Sequence, residues 1–254
     1  MCSSDLDLVA WLGKHARDLN VTVRDDTLST AMLAIQGPKT MEVVRTISGR
    51  DLSTIRRYGF TAYEFLTMRI VVYRGGYTGE DGVEVVLPAG AVSLLVPRLL
   101  GSKDKPHQVV KPAGLGARDT LRIEAAMPLY GHELSEDVDP LTAGQGWCVD
   151  LSQDFIGAEP MRTLKERGLQ RQLVGLELEG RRIARQYYKV FSGDRAIGEV
   201  TSGTLSPTLG KSLAMALVMS EYKEVGTELE VDLKGKRAAA RVVKLPFYKR
   251  PKAS

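Results

Sequence analysis

The stretch Arg74-Gly75-Gly76-Tyr77-Thr78-Gly79-Glu80-Asp81-Gly82-Val83-Glu84 places a flat ring with a polar tip close to a carboxylate, among closely set glycines. An apolar run, Met68 to Tyr73, leads in, and Val83 to Leu87 leads out, so the glycines join two strands. Glycine there allows positive φ and close approach of other groups, and Tyr77 supplies an apolar body with a hydroxyl. Glu84 opens the outgoing strand between apolar neighbours. Its carboxylate is either solvated on an open sheet face or aimed into a pocket to accept N–H donors. Residue type alone favours solvation, because an ionised Glu is seldom buried without a partner.

Arg118 and Arg122 form a second constellation, four apart on a helix expected from about Leu115 to Ala126. Two such guanidinium groups form either a solvated, ion-paired surface, with Asp119 and Glu124 as partners, or a fork for a carboxylate or carbonyl. The surface reading comes first on these residues alone. Trp147 reads as core or lining, and Cys148 as a small buried apolar group.

Other chemistries find little support. Cys2 and Cys148 make no disulfide framework, and His15, His107 and His132 lack ligand spacing, so no metal is implied. No glycine-rich segment ends in the Lys-Ser/Thr of a phosphate loop, and no Gly-x-Ser-x-Gly elbow occurs. With 35 Lys+Arg against 31 Asp+Glu the net charge is only +4, and the interleaved aromatics of a nucleic-acid stacking platform are missing. Without a membrane-length apolar run or a cleavable-signal pattern, the chain reads as soluble and intracellular.

At 254 residues and 43% hydrophobic content the chain can bury a sizeable core. A helix is expected over Asp5 to Leu19, strands at Val21 to Val23 and Thr30 to Ile35, and a helix after Gly37-Pro38 through Met41, Val44 and Ile47. A strand region from Thr61 to Tyr73, the outgoing strand Val83 to Leu87 and a helix over Ala91 to Leu100 follow. This order suits an α+β layer, helices packed on one face of a largely antiparallel sheet. A polar connection is read over Gly101 to Lys111. Beyond about Arg167 the pattern becomes six short alternating strands, at Leu173 to Leu178, Lys189 to Phe191, Ile197 to Thr201, Leu213 to Val218, Thr227 to Leu233 and Arg237 to Leu245. Such a run favours a small closed barrel or a sandwich. The expected organisation is an α+β region over 1–166 and an all-β barrel domain over 167–254.

Five segments, in order, resemble the aminomethyltransferase family, the T-protein of the glycine cleavage system. They are the glycine stretch from Gly76 to Glu84, Gly114-Leu115-Gly116-Ala117-Arg118-Asp119-Thr120-Leu121-Arg122, Pro128 to Leu134, Asp154-Phe155-Ile156-Gly157, and Gly198 to Gly210. The resemblance implies a tetrahydrofolate enzyme that moves the methylene carbon of an S-aminomethyl-lipoyl group, carried on a lipoylated H-protein, to the folate with release of ammonia. It also implies the cytoplasm, or the mitochondrial matrix in a eukaryotic source. Glu84 matches the glutamate that holds the pterin, Arg118 a folate-contacting arginine, Tyr77 a pocket-lining residue, and Lys249 or Arg250 a contact from the C-terminal end. The family aspartate that acts near the reacting amine lies in an N-terminal part without counterpart here. The chain therefore reads as N-terminally truncated, with no catalytic residue of its own assigned. Two other readings stay open: a non-catalytic folate-binding module of the kind that assists iron–sulfur assembly, and a structural or nucleic-acid-binding protein with Glu84 and Arg118 on a wet surface.

Overall fold

The structure, a computed structural model, describes residues 3–65, 67–101 and 109–251, with side chains from residue 8 onward. Cys2, His107 and most of the connection expected over 101–111 lie outside the described residues. Two compact units emerge, one of residues 1–76 and 80–113, the other of 77–79 and 114–254. Packing and the change of sequence texture near residue 167 thus follow different divisions, because the second unit takes in helices as well as the barrel.

In the first unit, β1 (Thr30–Gln36), β2 (Phe60–Phe65), β3 (Met68–Arg74) and β4 (Gly82–Pro88) form an antiparallel sheet in the order β1-β4-β3-β2. Val83, Val85 and Leu87 of β4, with Val72 of β3, turn one face toward α2 (Thr40–Ser48) and the segment leading into α3 (Val92–Leu100). Val44, Met41, Ala91 and Leu95 meet them there. Each fully buried valine or leucine in such a layer is worth about 1.5–3 kcal/mol. Gly49 ends α2 in the left-handed conformation, where its N–H returns to the Arg45 carbonyl. The opening helix α1 (Ser3–His15) stops short of the expected Leu19, and Val21 to Val23 form no strand. Val21 and Val23 are exposed and no strand among the described residues pairs with them, so β-branched composition alone did not suffice.

In the second unit, β5 (Arg171–Leu178), β6 (Lys189–Ser192), β7 (Arg195–Leu205), β8 (Ser212–Met219), β9 (Glu228–Asp232) and β10 (Arg237–Val243) close into a barrel, order β10-β5-β8-β7-β6-β9. Leu176, Val190, Ile197, Val200, Ala214, Ala216, Val218 and Val231 fill its interior. The unbroken apolar run of β8 has a reason: Ala214, Ala216 and Val218 point inward while Met215 and Leu217 pack outward with Ile123 of α4 (Leu115–Glu124). A strand buried on both faces loses its alternation.

The helix α5 (Ala158–Arg167) precedes the barrel and was not expected from the sequence, where its polar residues give no apolar stripe. Its signals are at the ends: Gly157 with φ 97° before it, Pro160 in its first turn, Glu159 early, and Lys165 and Arg167 late. No helix among the described residues is long and apolar enough to cross a membrane.

Candidate functional site

The turn between β3 and β4 is built in its own unit by charge and by close packing. Arg74 pairs with Asp81 at 2.9 Å and donates to the Ser53 and Ile55 carbonyls at 2.6 and 2.7 Å. Asp81 also accepts the Gly82 N–H. Gln36, at the end of β1, reaches under the turn and donates to the Gly75 carbonyl at 3.2 Å. A Cβ on Gly76 would lie 1.8 Å from the Gln36 amide oxygen, so a larger residue there would displace the Gln36 side chain.

From that turn β4 carries Glu84 opposite Ala34 of β1 and Tyr73 of β3. Cross-strand partners share a face, and Glu84 alternates with Val83 and Val85, so its carboxylate lies on the side away from α2 and α3. It is half-buried there, on a face where Met32, Phe60 and Tyr73 are exposed. Among the described residues, none is recorded as hydrogen bonding or ion pairing with it.

Tyr77 and Arg118 are brought together in the second unit. The Arg118 guanidinium stands 5.2 Å from the centre of the Tyr77 ring, within cation–π range. The Tyr77 hydroxyl donates to the Pro128 carbonyl, fixing the ring's far end. Burial pushes its phenol above the ordinary tyrosine value of 10.0; nearby Arg122 and Arg118 oppose that push, and Glu133 and Asp119 add to it. Gly79, with φ 77°, lets this loop lie on α4, since a Cβ would come 2.8 Å from that of Ala125.

The two helix arginines have opposite environments, which corrects their reading as one surface pair. Arg118 is exposed, near the free end of α4, whereas Arg122 is 1% exposed. Arg122 bonds Glu133 at 2.8 Å, Asp119 at 2.8 Å, Ser202 at 2.7 Å and the Met127 carbonyl at 3.3 Å. Glu124 is not its partner. That carboxylate is buried and accepts from Ser206, from the Thr208 hydroxyl at 2.8 Å and from the Thr208 N–H at 3.2 Å, tying α4 to the barrel.

Trp147 is 81% exposed and Cys148 is exposed, against the expectation that both would be interior. They sit in a short turn where Trp147 donates to Gln145 and nothing packs over the ring. Arg250 is half-buried near the end of the described chain, and Lys249 is exposed. Spacing gave no sign of Gln36 or Glu133, because Gln36 reaches backbone carbonyls far along the chain and Glu133 meets the Leu129 N–H and the Arg122 guanidinium only after folding. An open concavity of about 780 Å³ lies elsewhere, on the barrel wall beside Glu177, Glu228, Lys211 and Arg241. Four of its charges form two pairs, Lys211 with Glu177 and Arg241 with Glu228.

An antiparallel sheet unit bearing a strand carboxylate, followed by a helix-backed six-stranded barrel, defines a two-module α+β architecture. Residues 3–153 match the GCVT N-terminal domain and residues 171–249 the glycine cleavage T-protein C-terminal barrel domain. The chain belongs to the glycine cleavage T-protein family. It is 44% identical over 244 residues to an aminomethyltransferase of Moorella thermoacetica, covering 96% of this chain and 66% of that protein. To an aminomethyltransferase of Synechococcus elongatus it is 45% identical over 241 residues, 94% of this chain and 63% of the relative. The crystal structure of glycine cleavage system aminomethyltransferase T from Bartonella henselae superimposes with a TM-score of 0.83 at 31% identity, over 96% of this chain and 66% of that one. The chain thus spans just under two thirds of the length of these relatives.

Proposed function

We propose that this chain is the folate-holding and barrel portion of an aminomethyltransferase, which passes the methylene carbon of an S-aminomethyl-lipoyl group on an H-protein to tetrahydrofolate with release of ammonia. Residues 1–166 form the folate-binding region and 167–254 the barrel domain. The observation that carries the reading is the Glu84 carboxylate, half-buried on a strand, unpaired among the described residues, in a chain whose relatives are aminomethyltransferases. The donor chemistry fits: two carboxylate oxygens can accept the paired N–H groups of a 2-aminopyrimidinone edge. Within the second unit, the exposed Arg118 offers a planar cation beside the Tyr77 ring, and the family resemblance assigns each a folate contact of its own. Arg250 is assigned a contact from the C-terminal end. Tetrahydrofolate would supply the nitrogen that accepts the one-carbon unit.

In this division of labour the chain's own residues bind and orient. Glu84 fixes the heterocycle's hydrogen-bonding edge, while Arg118 and Tyr77 present a flat cationic and aromatic surface. The family resemblance assigns the aspartate that acts on the reacting amine to none of the residues of this chain, which spans 66% of the Moorella relative. Calorimetric titration with tetrahydrofolate tests the binding half: saturable binding that Glu84→Ala abolishes supports it, and affinity unchanged by Glu84→Ala rejects it. Supplying the N-terminal third tests the chemistry, read as methylenetetrahydrofolate formed from an aminomethylated lipoyl carrier. Folate binding without H-protein binding in the completed protein would point instead to a non-catalytic folate module.

A further inference from the structure

We infer that Glu133, which no part of the folate reading uses, is the positioning residue for the Tyr77–Arg118 pair, acting through the Met127–Leu129 turn. One carboxylate oxygen of Glu133 accepts the Leu129 N–H at 3.0 Å and the Arg122 guanidinium at 2.8 Å. The Glu133 N–H in turn donates to the Leu129 carbonyl at 3.0 Å, so Leu129 is held from both its polar groups. Arg122, on the same carboxylate, reaches the Met127 carbonyl at 3.3 Å. Both flanks of Pro128 are thereby clamped, and it is the Pro128 carbonyl that receives the Tyr77 hydroxyl. Tyr77 then carries the Arg118 guanidinium on its ring.

The clamp is itself anchored. Arg122 donates to Ser202 of β7 at 2.7 Å, and His132, next to Glu133, meets Ser202 at 3.2 Å and the Thr201 carbonyl at 2.9 Å. Stability alone is a poor reason for this arrangement. Glu133 is 0% exposed, and its second carboxylate oxygen has no hydrogen-bond partner among the described residues. Buried ion pairs are commonly matched or bettered by apolar side chains, and an unsatisfied oxygen adds to their cost. A rigid seat for a ligand-facing ring is a physical reason to keep one.

The inference rests on the folate reading for its binding readout, and the test separates the two. Tetrahydrofolate is titrated into the wild-type chain, Glu133→Gln, Tyr77→Phe and the double variant. Each single change is expected to weaken binding about tenfold, the size of one hydrogen bond to a charged group. The double variant is expected to be no weaker than the weaker single one, because both act through the Tyr77–Pro128 link. A double variant showing the product of the two losses overturns the proposal. In parallel, ring-¹³C tyrosine NMR follows the Tyr77 signal, assigned by its loss in Tyr77→Phe. It should move in Glu133→Gln while the signals of Tyr188 and Tyr222, at the barrel core, hold. An unmoved Tyr77 signal overturns the proposal too. If the wild-type chain binds no tetrahydrofolate, the folate reading falls and the NMR result still decides the positioning role. If Glu133→Gln fails to fold, Arg122→Met with Glu133→Leu removes both charges together. A moved Tyr77 signal in that folded variant supports the clamp, and an unmoved one refutes it.

Discussion

Strands β4 and β8 are both apolar runs, yet they serve opposite purposes. β8 is packed on both sides, with the barrel interior on one and Met215 and Leu217 against α4 on the other. β4 buries Val83, Val85 and Leu87 on one side only and turns Glu84 to the other, beside exposed Tyr73. Among the described residues, β8 is covered on both sides and β4 on one.

The sharpest way to break that contrast is to truncate each strand's environment and compare. Leu176→Ala, in the barrel interior, should cost about 2–5 kcal/mol in chemical denaturation. Met32→Ala, on the exposed side of the small sheet, should stay within about 0.5 kcal/mol. Equal losses would mean that the small sheet's second side is as tightly packed as the barrel. Glu84→Gln should next separate function from stability: it should lower tetrahydrofolate affinity by about 1–3 kcal/mol while shifting the denaturation midpoint little. A large loss of stability in Glu84→Gln, with affinity unchanged, would make this carboxylate structural.

The smallest expected effect concerns Tyr77. Its folded-state pKa is raised above 10.0, so the protonated phenol is favoured in the folded protein. The associated stability is complete below the unfolded tyrosine value and is lost as pH rises through the folded one. Alkaline denaturation should therefore lose one component of its steepness in Tyr77→Phe, and identical wild-type and variant curves above pH 10.0 would argue against the buried hydroxyl.

Much of the architecture was legible because period-two alternation survives in short strands. β8, buried on both faces, was readable as an apolar run rather than by alternation, and the number and spacing of the six strands left a barrel and a sandwich open until the sheet order showed closure. Val21 to Val23 had the right residue types but no neighbouring strand, and a sequence does not display the neighbour. α5 had cap and charge signals without an apolar stripe, so periodicity passed over it. In the site, Glu84 stood out as a charge inside an apolar strand. Arg118 and Arg122 could not be separated by spacing, because what distinguishes them is that the end of α4 lies on the barrel while its start is exposed. Glu133 was invisible for a similar reason, since its partners belong to a turn and a guanidinium that meet only after folding.

A closed barrel has no border strand for another polypeptide to join, but among the described residues the four-stranded sheet has two, β1 and β2. One of these, β1, runs Thr30 to Gln36 at the sheet's border with neither a charge nor a proline to discourage addition. At high concentration, self-association and turbidity should begin there, and a lysine placed at outward-facing Met32 is the change that should most readily keep solutions clear.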